Sequence, residues 1–183
     1  MWNLPNILTL SRIFVIPVLV ASFFVEQPLG SQIAFVTFTL AGITDFFDGY
    51  LARATQTVSK IGQFLDPIAD KLMVGAVIIM VVHARWVDGY HVAAAVIIMC
   101  RELLVSGLRE FLAGVQVSVP VSVLAKWKTT VQMVALGALV WSEGGPEFGV
   151  PANEIGLVLL WVAAVLTLYT GLDYLRSSLK HMV

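Results

Sequence analysis

The chain has 183 residues, of which 58% are hydrophobic and 13% charged, and its formal net charge is −1. Soluble domains carry about 25% charged residues, so an ordinary water-soluble domain is excluded. A net charge this near zero says little about partners, and no nucleic-acid partner is expected. The single cysteine, Cys100, excludes a disulfide framework within the chain and any thiolate zinc motif, and in its apolar run it reads as a small buried residue.

In chain order, residues 1–11 mix apolar and polar side chains and predict a short N-terminal interfacial segment. Apolar runs then predict six helices, over about 8–25, 31–54, 63–84, 90–113, 121–142 and 154–176. Each is about 17–25 residues long, enough to cross a bilayer. Pro67 fits the first turn of the third helix, where its missing N–H does little harm. The turns are Glu26–Gly30, Arg85–Gly89, Gly114–Pro120 and the Gly/Pro loop Ser142–Asn153. The expected class is all-α: one polytopic membrane domain over 1–183 with six transmembrane helices, because unpaired strands cannot survive in lipid.

Six spans put both termini on one side. Of eleven Lys and Arg, Arg12, Arg53, Lys60, Arg109, Lys126, Lys128, Arg176 and Lys180 fall at that set of helix ends. Lys71 and Arg101 lie nearby within helices, and Arg85 alone falls at the opposite set. The positive-inside rule then turns the termini to the cytoplasm.

The polar exception in this apolar chain is the stretch from Asp45 to Asp70. Asp45 and Asp48 are one turn apart near the end of the second helix, with Gly49 and Ala52 on the same face. Asp66 and Asp70 share a face of the third helix. A short loop joins the two helices, so both pairs lie near one end and can converge. Four carboxylates stay ionised together if divalent cations sit between them. Oxygen ligands favour Mg²⁺ or Mn²⁺, and four aspartates suit two such ions, an arrangement used in phosphate-ester displacement. Structural alternatives stand beside this. Asp66 before Pro67 can serve only as a helix N-cap. Asp45 and Asp48 can pair with Arg53 or Lys71, and Gly49 and Gly62 can be packing and turn glycines.

The spacing Asp45-x2-Asp48-Gly49-x2-Ala52-Arg53-x8-Gly62-x3-Asp66-x3-Asp70 matches the signature of the CDP-alcohol phosphotransferases. Eight fixed positions match by chance on the order of once in 10¹⁰ starts. NLPNILTLSR, TDFFDGYLAR, LDPIADK, the RE of CRELLVSGLRE and KWKTTVQ are similar to bacterial members of the family across most of the chain. One departure is Ala125, where those members usually carry glycine before the first lysine.

The resemblance implies a six-helix membrane enzyme, usually a homodimer, in the bacterial inner membrane with its site facing the cytoplasm. It implies transfer of a phosphatidyl group from CDP-diacylglycerol to sn-glycerol 3-phosphate with release of CMP, among membrane lipids. By the same resemblance Asp45, Asp48, Asp66 and Asp70 hold two Mg²⁺ or Mn²⁺ ions, and Asp70 is the general base. Gly49, Ala52, Arg53 and Gly62 contact the CDP of the donor, with Thr44 a further candidate. The acceptor's phosphate needs a basic pocket, for which Arg101, Arg109, Lys126 and Lys128 are the candidates. Lys126 and Lys128 point to different faces, so one of them is expected to reach substrate. Arg109 has the alternatives of a local ion pair or lipid headgroups. Competing functions are the same transfer to inositol phosphate, phosphatidylglycerol or serine, and an ion-coupled transporter. A transporter would spread its carboxylates through the membrane depth, whereas here they cluster at one end of two helices.

Overall fold

The structure, a computed structural model, describes residues 4–55, 60–117, 123–144 and 151–179, with the side chains of 4–6, 46–55, 60–61, 63, 66 and 123 outside the description. These residues form six α-helices: α1 Leu4–Ser22, α2 Leu29–Thr55, α3 Lys60–His83, α4 Val92–Gly114, α5 Val123–Trp141 and α6 Ala152–Leu179. A 3₁₀ turn, Gly89–His91, precedes α4, and among the described residues there is no strand.

The expected interfacial segment is not separate from the first helix. From Leu4 onward it forms the opening turns of α1 without a break at Ser11. Pro5 sits in the first turn, where no intrahelical bond needs its N–H. The Ser11 hydroxyl donates to the Leu8 carbonyl at 2.7 Å, so a polar side chain is satisfied within the helix. Likewise α3 begins at Lys60, which places Pro67 inside the helix rather than in its first turn.

The chain divides into two compact units, Met1–Trp86 with Gly137–Asn153, and Val87–Leu136 with Glu154–Val183. In the first, α1 packs against both α2 and α3. Leu19, Ala34, Phe38, Ala69, Met73, Val77, Val81 and Leu139 are buried there. The chain reverses after α1 so tightly that a Cβ on Gly30 would lie 2.6 Å from the carbonyl oxygens of Ser22 and Val25. Gly144 approaches the start of α2 as closely, and the Gln32 side-chain amide donates to its carbonyl at 2.9 Å. Above this contact the rings of Phe35 and Trp141 meet at 4.7 Å.

In the second unit, Arg101 of α4 meets Thr170 and Gly171 of α6, and the buried positions of both helices are mostly small. Ala94, Ala95 and Ile98 are buried on α4, and Gly156, Leu160, Ala163, Ala164 and Gly171 on α6. At one end Trp161 Nε1 donates to His91 Nδ1 at 3.1 Å, which accounts for this histidine without a metal. Cys100 is exposed, not buried as expected. The inward face of α4 is set by Ile98, and two residues on the chain has turned about 200° away from it.

Gly89–Gly114 and Ala152–Leu179 are long and apolar enough to cross a membrane by length and composition. Their outward residues include Val96, Leu103, Phe111, Val158, Val165 and Leu172, all exposed. An apolar face of this extent is solvated by lipid, not water. The helices α2 and α3, with 27 and 24 residues, have the length, but the site's charges lower their hydropathy at one end.

Two helices end on left-handed residues that are not glycine, Arg85 at φ 60° and Gln116 at φ 58°. Around Gln116 the bonds Val117 N–H to Leu112 O at 2.9 Å and Gln116 N–H to Ala113 O at 3.1 Å form a Schellman cap. A side chain in this conformation costs about 1 kcal/mol. Gln116→Gly is therefore expected to stabilise the protein by about 0.5–1 kcal/mol, read as a raised melting temperature in detergent.

Candidate active site

The carboxylate site lies in the first unit and is assembled from three helices. Arg12 projects from α1, Asp45 from α2 and Asp70 from α3. The Arg12 guanidinium is buried, with the residue only 3% exposed. Its Nη1 donates to Asp45 Oδ1 and, at 3.1 Å, to Asp70 Oδ1. The two carboxylates are accessible from outside, with side-chain exposures of 44% and 56%. So one member of each aspartate pair converges on a single point, as the helical spacing predicts.

Asp45 pairs with Arg12, a residue that the sequence reading counted only as a boundary charge, while the expected partner Arg53 has its side chain outside the described residues. Lys71 Nζ donates to the Pro67 carbonyl at 2.8 Å. The N-cap alternative for Asp66 fails, since Asp66 follows six helical residues of α3. Asp48, Gly49, Ala52 and Arg53 lie on α2 and Asp66 on α3, but their side chains are outside the described residues. Gly62 is buried on α3, and the Thr44 hydroxyl donates to the Ala41 carbonyl at 2.8 Å. Among the described residues no group of three His, Cys, Asp or Glu converges. The donor chemistry nevertheless fits a hard divalent cation, since the two described side chains offer carboxylate oxygens reachable from outside.

A second polar cluster lies in the second unit. Glu102 accepts from Arg101 Nη1 at 3.2 Å and from Lys128 Nζ, so two cations share one carboxylate. Arg101 Nη2 also donates to Thr170 Oγ1 at 3.1 Å, and Thr170 donates on to the Leu166 carbonyl at 2.8 Å. Gly171 makes room for this: a Cβ there would lie 2.9 Å from Arg101 Cγ. Lys128 and Gln132 are one turn apart on the inward face of α5 and both are buried. Arg101 Nε, Gln132 Oε1 and Thr167 Oγ1 are buried without a hydrogen-bond partner among the described residues. Orphaned buried polar atoms mark a place where water or a ligand completes the bonding.

Of the four basic candidates, Arg101 and Lys128 are thus brought together. Lys126 is exposed on the other face of α5, as the angle between the two lysines predicts. Arg109 lies two turns along α4 with its guanidinium 6.0 Å from the centre of the Tyr174 ring, at the edge of cation–π range. The sequence reading missed Arg12, Glu102, Gln132 and Thr170. For the first two the signal was there: an ionisable residue inside an apolar helix is a functional candidate.

A family model described as CDP-alcohol phosphatidyltransferase matches residues 2–169. The chain is 49% identical over 179 residues to the CDP-diacylglycerol–glycerol-3-phosphate 3-phosphatidyltransferase of Rickettsia bellii (strain RML369-C), covering 98% of this chain and 97% of that one. It is 37% identical over 215 residues to a protein of the same name from Cereibacter sphaeroides, with 99% and 97% covered. A third of that name, from Haemophilus influenzae, is 37% identical over 182 residues, with 97% and 94% covered.

Proposed function

The chain belongs to the CDP-alcohol phosphatidyltransferase family, and on that premise we propose how its residues divide the work of the reaction. The activity is transfer of a phosphatidyl group from CDP-diacylglycerol to glycerol 3-phosphate, a step of phospholipid synthesis. The observation that carries the assignment of residues is the convergence of Asp45 and Asp70 on Arg12.

Asp45, Asp48, Asp66 and Asp70 would hold the divalent ions on which this family generally depends, Mg²⁺ or Mn²⁺. Bound there, such ions would supply positive charge to the donor's diphosphate. Gly49, Ala52, Arg53 and Gly62 line the donor's CDP, with Thr44 beside them. Asp70 takes the proton from the acceptor hydroxyl. The hydroxyl oxygen forms a bond to the β-phosphorus as the bond to CMP breaks, and CMP leaves with the electron pair. A carboxylate is a weak base toward an alcohol, so the electrostatic part of the site does most of the work.

The acceptor's phosphate is bound by Arg101 and Lys128, with Arg109 and Lys126 outside this pair. Two cations on one carboxylate leave a net positive pocket, and the orphaned Arg101 Nε and Gln132 Oε1 offer further bonds to a polar ligand. The protein acts as a six-span homodimer in the bacterial inner membrane, with its termini and site toward the cytoplasm. The one-sided distribution of Lys and Arg supports that orientation.

Purified protein with CDP-diacylglycerol should release CMP with glycerol 3-phosphate, lose this activity in EDTA and regain it with Mg²⁺ or Mn²⁺. Product with inositol phosphate, phosphatidylglycerol or serine but none with glycerol 3-phosphate would overturn the acceptor assignment. Full turnover in EDTA would overturn the metal site.

A further inference from the structure

Arg12 has no role in the reaction as set out above, yet its side chain is only 4% exposed, far less than the two carboxylates it meets. A guanidinium is taken out of water only where anions compensate it, and two carboxylates from different helices approach only where a cation does the same. Arg12 meets both needs at once. One nitrogen reaches Asp45 on α2 and Asp70 on α3, and α1 packs against both of those helices. Hence α1, which contributes no carboxylate, fixes the separation of Asp45 and Asp70.

We infer that Arg12 is the resident cation of this site, a positioning residue that holds Asp45 and Asp70 together and shares them with the divalent ions. This rests on the reading that these carboxylates hold the metal. Two consequences have opposite signs. Before metal binds, Arg12 keeps the carboxylates assembled. When metal binds, Arg12 is a like charge beside it and weakens the binding. A residue that served packing alone would show only the first.

The test compares wild type, Arg12→Gln and Arg12→Lys in detergent. Mn²⁺ binding is followed by the loss of the free-ion EPR signal, and unfolding by melting with and without Mg²⁺. Arg12→Gln should bind Mn²⁺ about tenfold more tightly, because a positive charge a few ångströms away is removed. It should melt lower than wild type in chelator and gain more on addition of Mg²⁺, since ligand binding stabilises the folded state by mass action. Arg12→Lys keeps the charge and should stay within about threefold of wild-type affinity, while its turnover falls for want of the shared contact. Should Arg12→Gln unfold in chelator, recovery of the folded protein by Mn²⁺ supports the inference, and failure to fold in either condition overturns it. Unchanged or weaker Mn²⁺ binding in folded Arg12→Gln also overturns it. If wild type binds no Mn²⁺, or Asp45→Asn binds it as well as wild type, the metal reading of the site fails instead.

Discussion

Asp70→Asn is expected to cut CMP release by about 10²–10⁴-fold while leaving the protein folded, the range that a positioned general base contributes. The fold should survive for a local reason. The Asp70 side chain is 56% exposed, and an asparagine oxygen can still accept from Arg12 where Asp70 Oδ1 does at 3.1 Å. The Asp70 end of the pair is open to solvent and Asp45 still compensates the buried Arg12, so melting should move little. Asp45→Asn should behave differently. It removes a ligand rather than the base, so its turnover should recover in part as Mg²⁺ or Mn²⁺ is raised, whereas Asp70→Asn should not. Asp173→Asn, an exposed carboxylate near the end of α6, is the control and should leave turnover unchanged. Steady-state rates across a metal titration, with melting curves for each variant, separate these outcomes. Retained turnover in Asp70→Asn would defeat its assignment as the base.

The difference between Asp70 and Arg12 shows what the sequence can carry. Asp70 was legible because its spacing from Asp45, Asp48 and Asp66 is local or one short loop away, and helical geometry turns such spacing into position. Arg12 is on another helix. Nothing in its own neighbourhood says which residues it meets, and only the packing of α1 on α2 and α3 supplies them. The same divide runs through the fold. Apolar runs located all six helices, because each run is long enough for several helical turns. The ends were less legible, since turn residues and caps decide them: α3 starts at Lys60, so Pro67 is interior. The division between Lys126 and Lys128 could be read from a 200° step on one helix. The exposure of Cys100 could not, because the inward side of α4 depends on where Arg101 meets Thr170 and Gly171 of α6.

Lys128→Met should raise the KM for glycerol 3-phosphate about 30-fold, because a hydrogen bond to a charged group contributes about 1.5–3 kcal/mol. It should leave kcat nearly unchanged, since the acceptor's phosphate is held alike in ground and transition states. This variant also destabilises. Lys128 Nζ bonds to Glu102, whose side chain is 21% exposed, and its loss leaves that carboxylate to Arg101 alone. Breaking a buried pair from one side costs about 3 kcal/mol, so a raised KM by itself could reflect damage. The double variant Lys128→Met with Glu102→Gln resolves this, because it removes the stranded charge along with its partner. Its melting temperature should return most of the way to wild type while its KM stays high. Return of both would make the cluster a structural ion pair and place the acceptor pocket elsewhere. Arg109→Ala should change the KM by less than about threefold, as its guanidinium lies over Tyr174 at the limit of cation–π contact. These outcomes together would assign the acceptor pocket to the two cations that share Glu102, the anion an incoming phosphate would compete with.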